Sequence, residues 1–248
     1  MGWAAPAATG ARALRDANRS FYDSLWSTAR LIEPQRLNTW PLVRSLLTDA
    51  QRRLEVAPGL RPRLPLEGSE FAELSAPAVA ELARRGARVV RGEITSLPFE
   101  SAIFDLVVAL DIIEHVEDDA SALAELCRVV VPQGLLLLSV PLHAARWTRF
   151  DELVGHRRRY DPEALAELLG GHSLRVRQSA AYGMQPRSSR LTDCGMWCLA
   201  RHPRIAMWWY NRIFMPLGVY FQPPLALGAG MIDTRGVDEI ILVCQAAH

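Results

Sequence analysis

One segment, Phe104 to Asp118, limits what this chain can fold into more than any other. It opens with Phe104-Asp-Leu-Val-Val-Ala-Leu110, a short apolar run rich in β-branched residues, which is how a strand buried on both faces reads. The pattern then turns polar, with Asp111, Glu114, His115, Glu117, Asp118 and Asp119 crowding the exit. Helical spacing resumes at Ala122, Leu123, Leu126, Val129 and Val130, and after Pro132-Gln-Gly134 a second apolar run covers Leu135 to Val140. Strand, helix, strand in that order is a βαβ unit. In open α/β sheets ligands bind outside the carboxyl ends of the strands, so the acidic exit is the predicted reaction edge.

A chain of 248 residues has room for one large α/β domain with decorations. The net charge is +1 and every basic side chain except histidine is arginine, so no global field draws nucleic acid, and none is expected as a partner. Cys127, Cys194, Cys198 and Cys244 sit in or beside apolar stretches. A single Cys-x-x-x-Cys lacks the four ligands that structural zinc takes, so the reading is free thiols in a reducing cytoplasm and no metal. Met1 to Ala17 lacks the apolar core of a signal peptide. Ala206 to Ile232 is largely apolar and aromatic, but Asn211, Arg212, Gln222 and three prolines interrupt it. A spanning helix needs about 20 mostly apolar residues. No transmembrane segment is expected, and an interfacial or lid role stays open.

The runs Gly92-Glu-Ile-Thr-Ser-Leu-Pro-Phe99, Phe104-Asp-Leu-Val107, Asp111-Ile-Ile-Glu-His-Val-Glu-Asp118, Leu126-Cys-Arg-Val-Val-Val-Pro-Gln-Gly134 and Ser139-Val-Pro141 stand in a telling order and spacing. Together they resemble the centre of class I S-adenosylmethionine-dependent methyltransferases, and the resemblance runs over residues 53 to 182. It implies an α/β fold with a Rossmann-like, doubly wound, seven-stranded sheet whose last strand is inserted antiparallel. The strands fall at Arg53–Ala57, Glu70–Ser75, Ala87–Arg91, Phe104–Leu110, Leu135–Val140, Ser173–Gln178 and Glu239–Gln245. Two helices precede the sheet: one over Asn18 to Trp26, with Phe21, Tyr22, Leu25 and Trp26 on one stripe, and one from Thr39 or Trp40. The expected organisation is a helical extension over 1–50, a cofactor-binding core over 51–182, a helical and aromatic cap insertion over 183–232, and the final strand of the core over 233–248.

The resemblance also carries a cofactor, S-adenosylmethionine, and residues to hold it. Glu55, Ala57 and Gly59 occupy the acid-and-glycine turn after the first strand, where glycine lets the backbone approach a ligand closely. Ala57 stands where the first glycine is usual, and three prolines fill the stretch of the first crossover helix, which is therefore expected to be truncated or replaced by a loop. Glu73, with two acceptor oxygens suited to a vicinal diol, is the expected ribose partner, with Leu74 beside it. Glu93 and Ile94 are expected at the adenine, and Asp111 and Ile112 at the tip of the central strand. Asp151-Glu-Leu-Val-Gly-His156-Arg-Arg-Arg-Tyr160 resembles the stretch that borders the acceptor pocket in many small-molecule methyltransferases. That makes His156, His143 and Tyr160 the catalytic candidates, histidine because its ordinary pKa, about 6.5, suits proton removal near neutrality. The expected activity is methyl transfer to a small-molecule or lipid-like acceptor. The rival reading is a methyltransferase-like binding or partner subunit that has lost catalysis. The aromatic insertion is open to use as a pocket cap, a peripheral membrane contact or a homodimer face.

Overall fold

The computed structural model describes residues 22–183, 197–198 and 201–247. Its helices are α1 (22–28), α2 (Trp40–Leu46), α3 (Ala76–Arg84), α4 (Asp119–Val129), α5 (Arg149–Val154), α6 (Pro162–Gly171), α7 (Pro203–Trp209) and α8 (Met215–Tyr220). Its strands are β1 (Arg53–Val56), β2 (Glu70–Glu73), β3 (Arg88–Arg91), β4 (Phe104–Leu110), β5 (Val130–Pro141), β6 (Leu174–Tyr182), β7 (Gly228–Ala229) and β8 (Glu239–Ala246). They form one sheet in the order β3-β2-β1-β4-β5-β8-β6-β7. β1 to β5 run parallel, and β8 is inserted antiparallel between β5 and β6. The eighth strand, beyond the seven expected, is the two-residue β7 paired on the edge of β6.

Alternate residues along the central strands face opposite layers, as a pleated strand requires. Leu54, Val107, Leu136, Leu138 and Leu242 pack with Leu123, Leu126, Leu165 and Leu169 of α4 and α6. Leu106, Val108, Leu137 and Ile241 pack on the other face with Leu42 and Val43 of α2 and with Leu64. Burial of each such leucine contributes roughly 1.5–3 kcal/mol, which fixes register, because a one-residue slip would exchange the two layers. Between β1 and β2 no helix forms. Pro58, Pro62 and Pro65 deny the segment its helical hydrogen bonds, and Leu60 and Leu64, both fully buried, supply the apolar cover instead.

Several boundaries differ from expectation, among them β5, which begins at Val130 rather than Leu135. Glu114 and His115 sit in a separate 3-10 turn, Ile113–His115, and α4 begins at Asp119. The reason is the cap at Asp118, whose carboxylate accepts the Ser121 N–H at 2.9 Å. α6 runs through Gly170 and Gly171 and stops at His172, whose Nδ1 reaches the Leu168 carbonyl at 2.8 Å. β6 continues to Tyr182 because β8 pairs with it over that whole length. Phe21 and Cys194 lie outside the described residues, as does the start of the helix expected over Asn18 to Trp26. Among the described residues no helix is long and apolar enough to cross a membrane.

Candidate active site

Two buried carboxylates organise the carboxyl ends of β1 and β2: Glu55 holds the loop after β1, and Glu73 ties the end of β2 to that loop. Glu55 accepts the backbone N–H of Arg63, at 3.0 and 2.9 Å from its two oxygens, and that of Leu64 at 2.9 Å. Both oxygens are thereby spent on the proline-rich loop, so Glu55 braces the segment that stands where the crossover helix is absent. Burial pushes its carboxyl up to about 7, against the pull of the Leu64 and Arg63 amides. Glu73 accepts from Gly59 N–H at 2.9 Å and from Ser75 N–H at 2.7 Å, and burial raises its carboxyl too. Ala57 and Gly59 both have φ of +55°. Gly59 has a second reason to lack a side chain: a Cβ there would lie 2.1 Å from the Trp26 ring of α1. Leu74 and Glu93 are exposed, whereas Ile94 is buried in the main core beside Leu97.

The Glu73 carboxylate, a hydrogen-bond acceptor, and the left-handed turn at Ala57 and Gly59 are the kind of groups that would suit the ribose hydroxyls and the main-chain approach of an adenosyl cofactor. Trp26 covers the outer face of that turn, so access to it requires α1 to move. α1 is also anchored by Asp23, whose carboxylate accepts the Ser75 hydroxyl at 2.6 Å.

The ends of β4 and β5 build a second cluster. Asp111, at φ +54°, donates its N–H to Ser139 Oγ at 2.9 Å, and the Ser139 hydroxyl returns a bond to the Asp111 carboxylate. Burial and the Asp111 charge together raise the Glu239 carboxyl of β8 well above the usual range. Ile112 is half-buried against the core. Glu114, 1% exposed, points Oε1 at two imidazoles, 3.8 Å from His156 Nε2 and 4.0 Å from His115 Nε2. Its Oε2 has no hydrogen-bond partner among the described residues. Burial and Asp111 raise this carboxyl as well.

Each imidazole is oriented through its other nitrogen. His156 Nδ1 lies 2.8 Å from Asp151 Oδ1, and His115 Nδ1 lies 3.3 Å from the Gly155 carbonyl. With protons on the Nδ1 atoms, both Nε2 lone pairs face the cluster, and His115 Nε2 meets the Tyr22 hydroxyl of α1 at 3.2 Å. Burial and the neighbouring His156 push His115 down to about 3, so it is neutral at physiological pH. Burial and the carboxylates Glu114 and Asp111 raise Tyr22, which therefore stays a phenol. Glu114, His115 and His156 each offer a ligand atom within 4.8 Å of the others, the spacing from which a metal could be held.

The local sequence explains the scaffold. Thr148 and Asp151 form a reciprocal capping box at the start of α5, and Gly155 ends that helix at φ +79°. Burial pushes the Asp151 carboxyl up, but hydrogen bonds from His156, Thr148 and Arg159 outweigh it and hold the group below the usual carboxylate range. The three arginines that follow all bind protein rather than facing an acceptor. Arg157 reaches the His115 carbonyl, Arg158 the carbonyls of Val116 and Glu117, and Arg159 the carboxylates of Asp151 and Asp238.

Of the catalytic candidates, only His156 joins this cluster. His143 turns its Nε2 to the Thr234 carbonyl at 2.9 Å, and Tyr160 is buried with its hydroxyl donating to Asp119 at 2.8 Å. The sequence shows Glu114 and His115 but gives them no role at the site; the signal was their place two and three residues past Asp111-Ile112, the pair expected at the tip of the central strand.

A family model for a methyltransferase domain matches residues 69–138, which run from the start of β2 into β5. No curated protein sequence matches the chain. Among solved structures, a SAM-dependent methyltransferase from Thermotoga maritima is similar at a TM-score of 0.55 and 15% identity, covering 86% of this chain and 91% of its own. A (4+2)-cyclase is similar at 0.54 and 20%, covering 83% and 79%. A phosphoethanolamine N-methyltransferase of Haemonchus contortus, solved with phosphomonomethylethanolamine and S-adenosylhomocysteine, is similar at 0.55 and 16%, covering 94% of this chain and 60% of that one. At these identities the structures speak for the fold alone. The sheet order and the matched segment agree: residues 69–138 are similar to a methyltransferase domain and lie within a sheet of the Rossmann-like methyltransferase fold.

Proposed function

We propose that this methyltransferase acts on a small-molecule or lipid-like acceptor held beside Tyr22, Glu114, His115 and His156. When bound, S-adenosylmethionine supplies an electrophilic methyl group on a sulfonium. In this reading Glu73 takes the ribose hydroxyls, Glu93 with Leu74 and Ile94 takes the adenine, Ala57 and Gly59 let the main chain approach, and Asp111 with Ile112 borders the methionine end. Residues 51–182 and the last strand form the binding core, and residues 1–50 and 183–232 cover it. The protein's task is alignment and removal of a proton, since displacement at a methyl carbon needs little covalent help. His156 is the proton acceptor: Asp151 holds Nδ1 and leaves Nε2 free to take a proton from an acceptor hydroxyl or amine. Tyr22 and His115 hold α1 closed against water. A lipid-like acceptor is supported by the apolar, aromatic helices that follow β6, and a small one by the narrow cluster itself.

The observation that carries this reading is the convergence of Tyr22, Glu114, His115 and His156 just past the strand end that presents Asp111. Calorimetry with S-adenosylmethionine and S-adenosylhomocysteine tests it. Binding that Glu73→Ala and Glu93→Ala each weaken is expected, with His156→Ala sparing cofactor affinity and removing turnover. No binding at millimolar ligand would sink the proposal.

A further inference from the structure

We propose that the outward face of α7 and α8 docks on an anionic bilayer surface. The two helices are joined through a wide π-turn, Tyr210–Phe214, where Met215 N–H reaches back to the Tyr210 carbonyl. The turn accommodates Pro216, which has no N–H to give and would crowd a regular helical carbonyl. It also keeps residues four apart in line, offsetting the drift of ~40° per step that a regular helix would impose. Met207, Asn211, Met215 and Val219 are accordingly all buried. Asn211 donates to the Leu25 carbonyl and to Thr28 Oγ1, both at 2.9 Å, while Met215 and Val219 pack with Leu37, so the inner stripe is seated on α1 and the segment after it.

The opposite face carries Ile205, Trp208, Trp209, Phe214, Leu217 and Tyr220 in solvent, with Phe214 63% and Tyr220 79% exposed. Large aromatic and aliphatic side chains gathered on one outward face mark an interaction surface rather than incidental exposure. Charge selects the partner. From Cys194 to Ile232 the sequence contains Arg201, Arg204 and Arg212 and no aspartate or glutamate. Beside the aromatic face, between these helices and the segment after α1, lies a cleft of about 350 Å³ that includes Arg30, Arg36, Arg61 and Arg212 and no carboxylate. None of these four forms a salt bridge among the described residues. Arg61 stacks on the rings of Trp26 and Tyr210, at 5.2 and 5.5 Å, and its Nη2 is buried with no hydrogen-bond acceptor among the described residues. An aromatic face with arginines and no acids is the composition of a helix that lies in the headgroup layer, and the cleft offers lipid phosphates the acceptor-poor donors they pair with.

The inference rests on the proposed lipid-like acceptor only in its purpose, because docking would bring α1 and the site it covers to the surface from which such an acceptor comes. Co-sedimentation with vesicles of phosphatidylglycerol and phosphatidylcholine, and with phosphatidylcholine alone, tests it at low and high salt. The full chain should partition to the anionic vesicles at low salt and leave them at high salt. Trp208→Ser, Phe214→Ser and Tyr220→Ser combined should lower partitioning about tenfold or more, as should Arg36→Glu with Arg212→Glu, with S-adenosylhomocysteine binding unchanged in both. Equal partitioning of wild type and the triple variant would overturn the proposal, as would wild type that ignores anionic vesicles while binding the cofactor. A wild-type dimer that the triple variant turns into a monomer, without vesicle binding, would assign the face to self-association and overturn it equally. Vesicle binding without cofactor binding would instead count against the proposed function and leave the docking surface standing.

Discussion

Replacing Asp151 with asparagine probes the frame that holds the proposed base. The native carboxylate accepts from four donors: Thr148 N–H and Oγ1 at 2.7 Å each, His156 Nδ1 at 2.8 Å and Arg159 Nε at 2.9 Å. Asparagine offers one acceptor oxygen and turns an NH₂ toward donors it cannot satisfy. The larger loss is electrostatic. The Arg159 side chain is fully buried, and without Asp151 its remaining carboxylate is Asp238, which is 36% exposed. Breaking a buried ion pair by removing one partner costs about 3–5 kcal/mol. For a chain of this size each kcal/mol moves the melting temperature by about 2–4 °C, so Asp151→Asn should melt about 6–20 °C lower at neutral pH. Because the folded carboxyl lies below its unfolded value, its contribution is complete above about pH 5 and is lost as the pH falls through the folded pKa. The variant should therefore also lose part of the acid-side decline in stability. Calorimetric melts from pH 3 to pH 8 read both effects. A variant melting within about 2 °C of wild type, with the same acid limb, would refute the reasoning.

Gly59→Ala should destabilise by more than the ~1–2 kcal/mol of a left-handed alanine, because its Cβ meets Trp26; adding Trp26→Ala should recover the steric part only, and additive urea midpoints would count against that contact. His115 is held neutral far below its ordinary value, so the stability it contributes is present above about pH 6.5 and lost as the pH falls towards 3. His115→Gln, which keeps an acceptor for Tyr22, should flatten that limb, and an imidazole resonance of His115 titrating near pH 6.5 would contradict it. Glu55 has the opposite sign. The folded chain keeps a proton that the unfolded chain releases above about pH 4.5, so raising the pH through 7 weakens the fold, and Glu55→Gln should abolish that decline in urea titrations.

The strands were legible wherever apolar runs are bounded by turn chemistry, which is why β4 and the antiparallel β8 lie where the pattern puts them. The missing crossover helix was legible for a stereochemical reason, since three prolines in so short a stretch leave too few amides for a helix. What the pattern did not carry was side-chain direction. Glu55 reads as a cofactor acid, yet it lies within β1 and faces the loop amides. His143, His156 and Tyr160 are all catalytic candidates in sequence, but only tertiary packing decides that His143 turns to Thr234, Tyr160 to Asp119 and His156 to Asp151. Arg157 and Arg158 act as a clamp, because the turn after β4 leaves carbonyls that need donors.

α1 connects the two halves of the site in a way no single motif records. In one short helix, Trp26 covers Gly59 at the cofactor turn, Asp23 takes the Ser75 hydroxyl at the end of β2, and Tyr22 meets His115 beside the proposed base. Three neighbouring side chains thus rest on the ends of β1, β2 and β4, and a rigid helix cannot release one while keeping the others. If the cofactor enters at Gly59 as proposed, its entry and the exposure of the histidine cluster would be one event. Asn211 extends the coupling outward, since its two bonds fasten the helical cap to Leu25 and Thr28 of the same helix. A surface that engaged these helices, as proposed, would act through Asn211 on the helix that carries Tyr22, Asp23 and Trp26.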